Sequence, residues 1–481
     1  MFLGRENELK SLASLLEKRT PSLVVCRGRR RIGKSTLFEE FARRNNLKFL
    51  VLDGLMPRPD IKNEDQLRHF CEELSTQTKR DIPIAKNWTE AFCLLDEAIA
   101  KDEWSLVLLD EISWMGKYDP DFPGTLKSAW DLRLKKHSQL VLALCGSVSA
   151  WIRKNILDNT GFVGRFSRDI VLRELSLPLC RQFWGETAER LAPRDIIDVL
   201  AVTGGVPRYL EEVNPSLSAN DNIRNLCFTP DGTLFQDFKA IFSSVFGEDA
   251  AQKRRILELL ADGSKTCSEL AAALGVERGG SLAENIDALA ESGFVSKDFG
   301  YNPETCLPAR QGRYRISDNY TRFYLKYVAP HEHEIQAGRY AFTSLDMLPG
   351  WDSMIGLQFE NLVINNVNDL LPRLHFDGVP VLSAVPYVKH GKRLADGSRE
   401  PGLQIDLLVQ SRKSVCIVEV KHQSHVGEAV EQEVAAKLKK LKVANGVSKR
   451  TALVYCGELA PVVRGNGFFD AIISSSDLLS P

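Results

Sequence analysis

The feature that most constrains the fold of this chain is one loop together with its flanks. The apolar run Ser22-Leu23-Val24-Val25-Cys26 leads into Gly28-Arg29-Arg30-Arg31-Ile32-Gly33-Lys34-Ser35-Thr36-Leu37, and a helix-length segment continues to Arg44. A buried strand that turns sharply at its carboxyl end into a helix is the building unit of parallel sheets covered by helices. Glycine at 28 and 33 lets the backbone curl so that its N–H groups face one centre, and the helix that follows adds its positive end, which together make a cradle for phosphate oxygens. Lys34 then reaches the β- and γ-phosphates and the Ser35 hydroxyl ligates Mg²⁺, so residues 28–36, with Arg29, Arg30, Arg31, Ile32 and Thr36 completing the loop, are expected to hold ATP.

Such a loop needs an acidic partner, and Leu106-Val107-Leu108-Leu109-Asp110-Glu111 supplies one at the end of a second apolar run. Two acids at a strand end also begin ordinary turns, but beside the phosphate loop Asp110 is expected to hold Mg²⁺ through water and Glu111 to act as base for an attacking water. Hydrolysis is therefore expected as well as binding. A further run, 140–145, ends in Gly146-Ser147. Ser147 either senses the γ-phosphate and positions water, or caps the helical segment at 148–152, and the sequence leaves both open.

A chain of 481 residues has room for three or four domains of about 100–200 residues each. Lys+Arg number 62 against 63 Asp+Glu, a net charge of -1, so any nucleic-acid binding must be local rather than driven by a global basic field. The ten cysteines show neither a C-x-x-C pair nor a Cys/His cluster at metal spacing. With no secretory leader or membrane-length apolar stretch, this usage predicts a protein of the reducing cytoplasm that does not enter a membrane.

Apolar runs at 22–26, 48–53, 105–110, 140–145 and 168–172 alternate with helix-length polar segments, which predicts a parallel sheet with helices on both faces over residues 1–175. Residues 176–246 read as a helical lid punctuated by Gly204-Gly205 and Pro207. Within 247–330, three helical segments (250–260, 268–275, 281–292) and two extended runs (293–297, 314–317) follow the order of a winged helix. Its third helix carries Glu284, Asp287 and Glu291 and no Lys or Arg. Phosphates repel such a helix, so a structural or protein-contact role is expected in place of DNA reading.

Residues 331–481 hold a different constellation. Gln404-Ile405-Asp406-Leu407-Leu408-Val409, a polar turn, then Val415-Cys416-Ile417-Val418-Glu419-Val420-Lys421 read as a hairpin. Residues two apart share a strand face, so Glu419 and Lys421 point the same way and the hairpin brings Asp406 beside them. Paired carboxylates bind Mg²⁺ or Mn²⁺, and an adjacent ammonium offsets charge developing on a phosphodiester. An exposed ion pair at a strand end is the plainer alternative. Lys389, Lys392 and Arg393 before the hairpin and Lys437, Lys439, Lys440 and Lys442 after it form either a track for phosphates or, for 437–442, the solvated face of a helix.

Two family resemblances follow from these residues. Phe2-Leu3-Gly4-Arg5-Glu6-Asn7-Glu8-Leu9, the 28–35 loop, Leu-Leu-Asp-Glu-Ile at 108–112, Cys-Gly-Ser at 145–147, Gly164-Arg165 and Gly204-Gly205-Val206-Pro207-Arg208-Tyr209-Leu210 resemble the archaeal-type ATPase family of the AAA+/STAND group. The resemblance implies that Gly4-Arg5-Glu6 lies near the adenine, that Ser147 is the sensor, that Arg165 contacts the phosphates in cis or in trans, and that the Gly-Gly-Val-Pro segment belongs to the lid. Taken alone, Arg165 is explained as well by a surface ion pair. The hairpin resembles the PD-(D/E)XK nuclease superfamily, a restriction endonuclease-like α/β fold. That likeness implies Asp406 and Glu419 as metal ligands, Lys421 as the residue orienting the nucleophile, Glu360 as the carboxylate from the first helix, and DNA as the substrate. Ile405 stands where proline is common, a departure that leaves the metal site unaffected. The expected function is an ATPase whose nucleotide cycle controls a metal-dependent nuclease, with an oligomer and a protein partner at the winged helix both compatible. The alternative is a STAND-like signalling switch whose nuclease-like domain binds nucleic acid or protein without cutting.

Overall fold

The computed structural model describes residues 2–18, 20–99, 103–147, 149–246, 250–277, 279–340, 344–393 and 399–480. The chain divides into two compact units, one of residues 1–174, 239–251 and 287–293, the other of 175–238, 252–286 and 294–481. Of the segment 176–246 expected as a lid, residues up to 238 group with the unit that carries the C-terminal sheet and residues 239–246 with the first unit.

In the first unit five strands, β1 (Ser22–Arg27), β2 (Lys48–Asp53), β3 (Ser105–Asp110), β4 (Leu140–Gly146) and β5 (Phe166–Val171), form a fully parallel sheet of order β2-β3-β4-β1-β5. The central strands are apolar throughout because both faces are covered. Val24, Leu108, Val141 and Ala143 pack with Leu37, Phe38 and Phe41 of the Lys34–Asn45 helix on one face. Val25, Val107, Leu109 and Leu142 pack on the other with Phe70, Trp88, Phe92 and Phe122. Each such side chain, fully removed from water, contributes about 1.5–3 kcal/mol. This burial fixes the strand order and so brings the ends of β1, β3 and β4 side by side. The carboxyl ends of the strands all open on one edge, where β1 hands over to the loop at 28–33.

The second unit contains, among other helices, Pro193–Thr203, Trp351–Asn365 and Ala429–Lys440, and two larger sheets. The smaller sheet has order β6-β8-β7, from β6 (Lys265–Thr266), β7 (Val295–Asp298) and β8 (Arg313–Ile316), all antiparallel. The larger is mixed. Its strands are β9 (Val381–Lys389), β12 (Leu403–Ser411), β13 (Ser414–Val426), β14 (Ser448–Leu459) and β15 (Ala471–Ser474), with β10 (Lys392–Arg393) and β11 (Arg399–Glu400) pairing apart from it. In the order β15-β14-β13-β12-β9 the first three run parallel, while β12 is antiparallel to both of its neighbours.

A buried polar network sets the rotation of the Trp351–Asn365 helix. Gln358, fully buried, donates to the carbonyls of Ala201 at 2.7 Å and Asn319 at 2.6 Å and accepts from Arg322 at 2.9 Å. Asn319 in turn donates to the Ala201 and Gln358 carbonyls at 3.0 and 3.1 Å. Every such group left unpaired in a core costs about 1–3 kcal/mol, so the helix has one satisfied rotation. Glu360 projects two residues on from Gln358, toward a different part of the unit.

Candidate nucleotide site and acidic cleft

The loop after β1 adopts the geometry its glycines permit. Gly28 has φ +156° and a Cβ there would stand 2.5 Å from the Leu172 carbonyl oxygen, while Gly33 has φ +90°. Arg31, at φ 70°, takes a left-handed conformation that costs a non-glycine residue about 1–2 kcal/mol. Ile32, 1% exposed, anchors the loop in the core beneath it. The Lys34 ammonium is buried and donates to the Gly28 and Arg29 carbonyls, each at 3.2 Å. Arg29 pairs with Glu174 at 3.2 Å, the Arg30 guanidinium lies 5.3 Å from the centre of the Trp114 ring, and Thr36 is exposed.

Ser35 and Asp110, assigned to the same Mg²⁺ from sequence, are hydrogen-bonded to each other. Asp110 also accepts from the Glu111 N–H at 2.9 Å. Glu111 sits at φ 45°, the bend between β3 and the short helix Ile112–Met115. Its carboxylate is held by Ser147, whose hydroxyl lies 2.9 Å from both oxygens and whose backbone N–H donates to Oε2 at 3.1 Å. The expected sensor and the expected base are therefore one hydrogen-bonded pair, joined across neighbouring strands. The buried ammonium, a hydroxyl next to a carboxylate, and a loop with room only for glycine at 28 fit Mg²⁺-ATP.

Arg165, for which the resemblance implied a contact with the phosphates in cis or in trans, is here engaged by an acidic neighbour. Its guanidinium grips Asp131 through Nε at 3.0 Å and Nη2 at 2.8 Å, and Lys127 reaches the same carboxylate at 3.0 Å. The hydrogen bond from Arg165 holds the Asp131 carboxyl well below the usual carboxylate range. In this structure Arg165 is an ion-pair residue, the alternative its sequence context allowed. Arg5 donates to the Arg173 carbonyl and lies 3.5 Å from that of Ile32 in the phosphate loop, while Glu6 pairs with Arg44 at 3.0 Å.

In the second unit, Glu360, Asp406, Glu419 and Lys421 line one cleft of about 470 Å³. The hairpin register carries them there. Leu407 pairs with Val418, and the next residues outward are Asp406 and Glu419. Asp406 accepts from the Val420 N–H at 2.9 Å, and the Lys421 ammonium lies 3.0 Å from Glu419. Glu360 arrives from the Trp351–Asn365 helix. Burial, reinforced by Asp406, pushes the Glu360 carboxyl up to about 8, and burial with Glu419 lifts Asp406 to about 6. Burial would lower Lys421, but its hydrogen bond to Glu433 and the charge of Glu419 outweigh this and raise it. Asp406 and Glu419, side by side on the hairpin, offer the kind of oxygen donors that a hard divalent cation takes, and Glu360 raises the negative charge there, but the oxygens of the three do not all come within 4.8 Å of one another, as the ligand atoms of Asp53, His69 and Glu73 do.

Two further residues of the cleft have contacts that the sequence did not show: Glu433, which was not singled out, and Lys437, which was read only as part of a phosphate track or a solvated face. Glu433 binds the Lys421 ammonium at 2.7 Å, and Lys437 binds Glu419 Oε2 at 2.5 Å and stands 3.9 Å from Asp406. Both lie on the Ala429–Lys440 helix, four residues apart and so on one face. That spacing was the available signal, but it reads equally as a solvated surface. Lys437 and Lys440 line the cleft while Lys439 is exposed. Lys389 pairs with Glu304 at 3.3 Å, and the side chains of Lys392 and Arg393 lie outside the described residues.

The parallel sheet, the glycine-bounded loop and the acid pair at the end of β3 define a P-loop ATPase. Residues 2–213 match the family model described as an ATPase domain predominantly from Archaea, and this segment is an archaeal-type ATPase domain. An uncharacterized protein of Methanocaldococcus jannaschii is 25% identical over 379 residues, 77% of this chain and 79% of its own length. That likeness extends past the ATPase domain. Among solved structures, the Walker-type ATPase of Pyrococcus abyssi is similar over 67% of this chain and 96% of its own, at 16% identity and a TM-score of 0.45. The ORC2 protein of Aeropyrum pernix is similar over 69% and 94%, at 14% identity and a TM-score of 0.42. Among the described residues no helix is long and apolar enough to cross a membrane, and all ten cysteines are free thiols.

Proposed function

We propose that the ATPase cycle of this chain controls a metal-dependent nuclease of the PD-(D/E)XK type, acting on DNA, in the acidic cleft of the second unit. The observation that carries the reading is the meeting of Glu360, Asp406, Glu419 and Lys421, from a helix and two strands, in one cleft. Glu360, Asp406 and Glu419 would hold Mg²⁺ or Mn²⁺, which when bound supplies an electrophile for the phosphodiester and lowers the pKa of water. Lys421 orients the nucleophile and offsets negative charge on the phosphate. In the first unit Lys34, Ser35 and Asp110 hold Mg²⁺-ATP, and Glu111, aimed by Ser147, accepts the proton of the attacking water.

Coupling has a physical route within the second unit. The Pro193–Thr203 helix belongs to the segment expected to respond to nucleotide. Its Ala201 carbonyl is bonded by Gln358, two residues before Glu360, and its Asp198 is bonded at 2.7 Å by His422, the neighbour of Lys421. A shift of this one helix therefore acts on both sides of the cleft. We read the β6-β8-β7 sheet and its three helices as a winged helix with a structural or protein-contact role.

The test incubates the protein with supercoiled DNA and with RNA, in Mg²⁺ or Mn²⁺, with and without ATP. Cutting that disappears in Glu419→Ala and changes in Lys34→Ala supports the reading. ATP turnover with no cutting under any of these conditions favours the signalling switch. One observation speaks for that second reading: Glu419 is already neutralised by two lysines of its own chain.

A further inference from the structure

The two lysines at Glu419 have different environments. Lys421 extends from β13 itself, two residues along the same strand face, and Glu433 supplies it with a second carboxylate at 2.7 Å. Lys437 comes from the Ala429–Lys440 helix across the cleft. Its ammonium meets Glu419 Oε2 at 2.5 Å and faces Asp406 Oδ1 at 3.9 Å, so it addresses the two carboxylates expected to hold the cation. Glu419 is 1% exposed, and a carboxylate that buried needs a positive partner in the cation's absence.

We propose that Lys437 is the built-in counter-ion of this carboxylate pair and competes with the divalent cation for it, so that the cleft is latched until Lys437 lets go of Glu419. The inference rests on the reading of the cleft as a metal site and adds its regulation. A lone pair of Glu419 that accepts from the ammonium is not available to a metal, and a positive charge beside Asp406 repels an incoming one. The long, unbranched lysine stem lets the head group move away without moving the helix, because only side-chain torsions change. Lys439, on the same helix but exposed, carries the same charge and makes no such contact among the described residues.

The experiment is a titration of the full-length protein with Mn²⁺ alone, read by calorimetry and by the electron spin resonance signal of free Mn²⁺, for wild type, Lys437→Gln, Lys437→Arg, Lys439→Gln and Glu419→Ala. Removing one competing charge-assisted hydrogen bond should tighten Mn²⁺ binding in Lys437→Gln by about tenfold or more. Lys437→Arg, which keeps the competing charge, should stay near wild type, as should Lys439→Gln, and Glu419→Ala should lose the site. Equal Mn²⁺ affinity in wild type and Lys437→Gln, or equal tightening in Lys437→Gln and Lys439→Gln, overturns the latch and leaves the metal site standing. Absence of Mn²⁺ binding in wild type and Lys437→Gln alike overturns the metal site and the latch with it. Thermal unfolding of each variant separates these outcomes from loss of fold.

Discussion

Replacing Ser147 by alanine removes one hydroxyl from Glu111 and disturbs little else. That hydroxyl lies 2.9 Å from both carboxylate oxygens, and the backbone N–H of the same residue, which the substitution keeps, donates at 3.1 Å. Ser147 is 1% exposed, so water does not readily replace the lost donor. A hydrogen bond to a charged group contributes about 1.5–3 kcal/mol. Because one of the two donors survives, the loss falls near the lower figure, about 1.5 kcal/mol. If Glu111 must be aimed to accept the proton from water, that loss is expressed in the transition state as roughly a tenfold fall in turnover. ATP affinity should not follow it, since the site proposed above assigns the phosphates to the 28–35 loop and not to Glu111. The assay pairs steady-state ATP hydrolysis with direct nucleotide binding in wild type, Ser147→Ala and Glu111→Gln. The reasoning fails if turnover in Ser147→Ala equals or exceeds wild type while Glu111→Gln is inactive. The hydroxyl would then restrain the base and not aim it.

Gly28→Ala should abolish ATP binding, measured with a fluorescent analogue, because its Cβ would press on the Leu172 carbonyl oxygen at 2.5 Å and the backbone there has φ +156°. Arg315→Ala should lower the stability of the second unit by about 3–5 kcal/mol in denaturant unfolding, since it strands Asp298, paired at 2.8 Å with both side chains under 10% exposed. Burial, reinforced by the neighbouring Asp53 side chain, pushes the Glu73 carboxyl up to about 7 from an ordinary 4.5. A carboxyl raised on folding binds its proton more tightly in the folded state, so its contribution is complete below about 4.5 and is lost as the pH rises through 7. The melting temperature of Glu73→Gln should therefore match wild type near pH 5 and exceed it at pH 8, and a gap that narrows with rising pH would contradict this sign.

The nucleotide site was legible because its chemistry is local. Residues 28–36 lie in one stretch, and Asp110, Glu111 and Ser147 each mark the end of an apolar run whose place in a parallel sheet is fixed by burial. The pairing of Ser147 with Glu111 needed the strand order, which puts β3 beside β4, and no periodicity states that order. The acidic cleft was legible in its hairpin, where the period of two places Glu419 with Lys421. Lys437 was not, because a lysine on an amphipathic helix is read as solvated unless the partner is known, and its partner is 18 residues away on a strand. Arg165 shows the converse: position in a motif suggested the phosphates, but Asp131, one strong carboxylate within reach, decides where the guanidinium sits.

The helical segment at 280–291 and the loop between β7 and β8 are the elements a winged helix would offer to a duplex, and both are engaged elsewhere. The third helix is acidic, and its Glu291 is ion-paired with Arg153 within the first unit. In the loop, the Pro303 carbonyl accepts from the Ala444 N–H at 2.9 Å and Glu304 binds Lys389 of β9 at 3.3 Å. The acidic helix and the tethered loop thus offer nucleic acid little basic surface among the described residues beyond the exposed Arg310 of the loop. What remains is a cleft whose lysines are bonded to its own carboxylates. On the proposed reading, phosphodiester binding at that cleft begins by breaking those pairs, and a cation that claims Glu419 and Asp406 would leave the ammonium group of Lys437 to the phosphates while Lys421 keeps its partner Glu433. If the cleft is the nuclease site proposed above, metal and nucleic acid should bind it cooperatively, each relieving the charge that the other would leave unpaired.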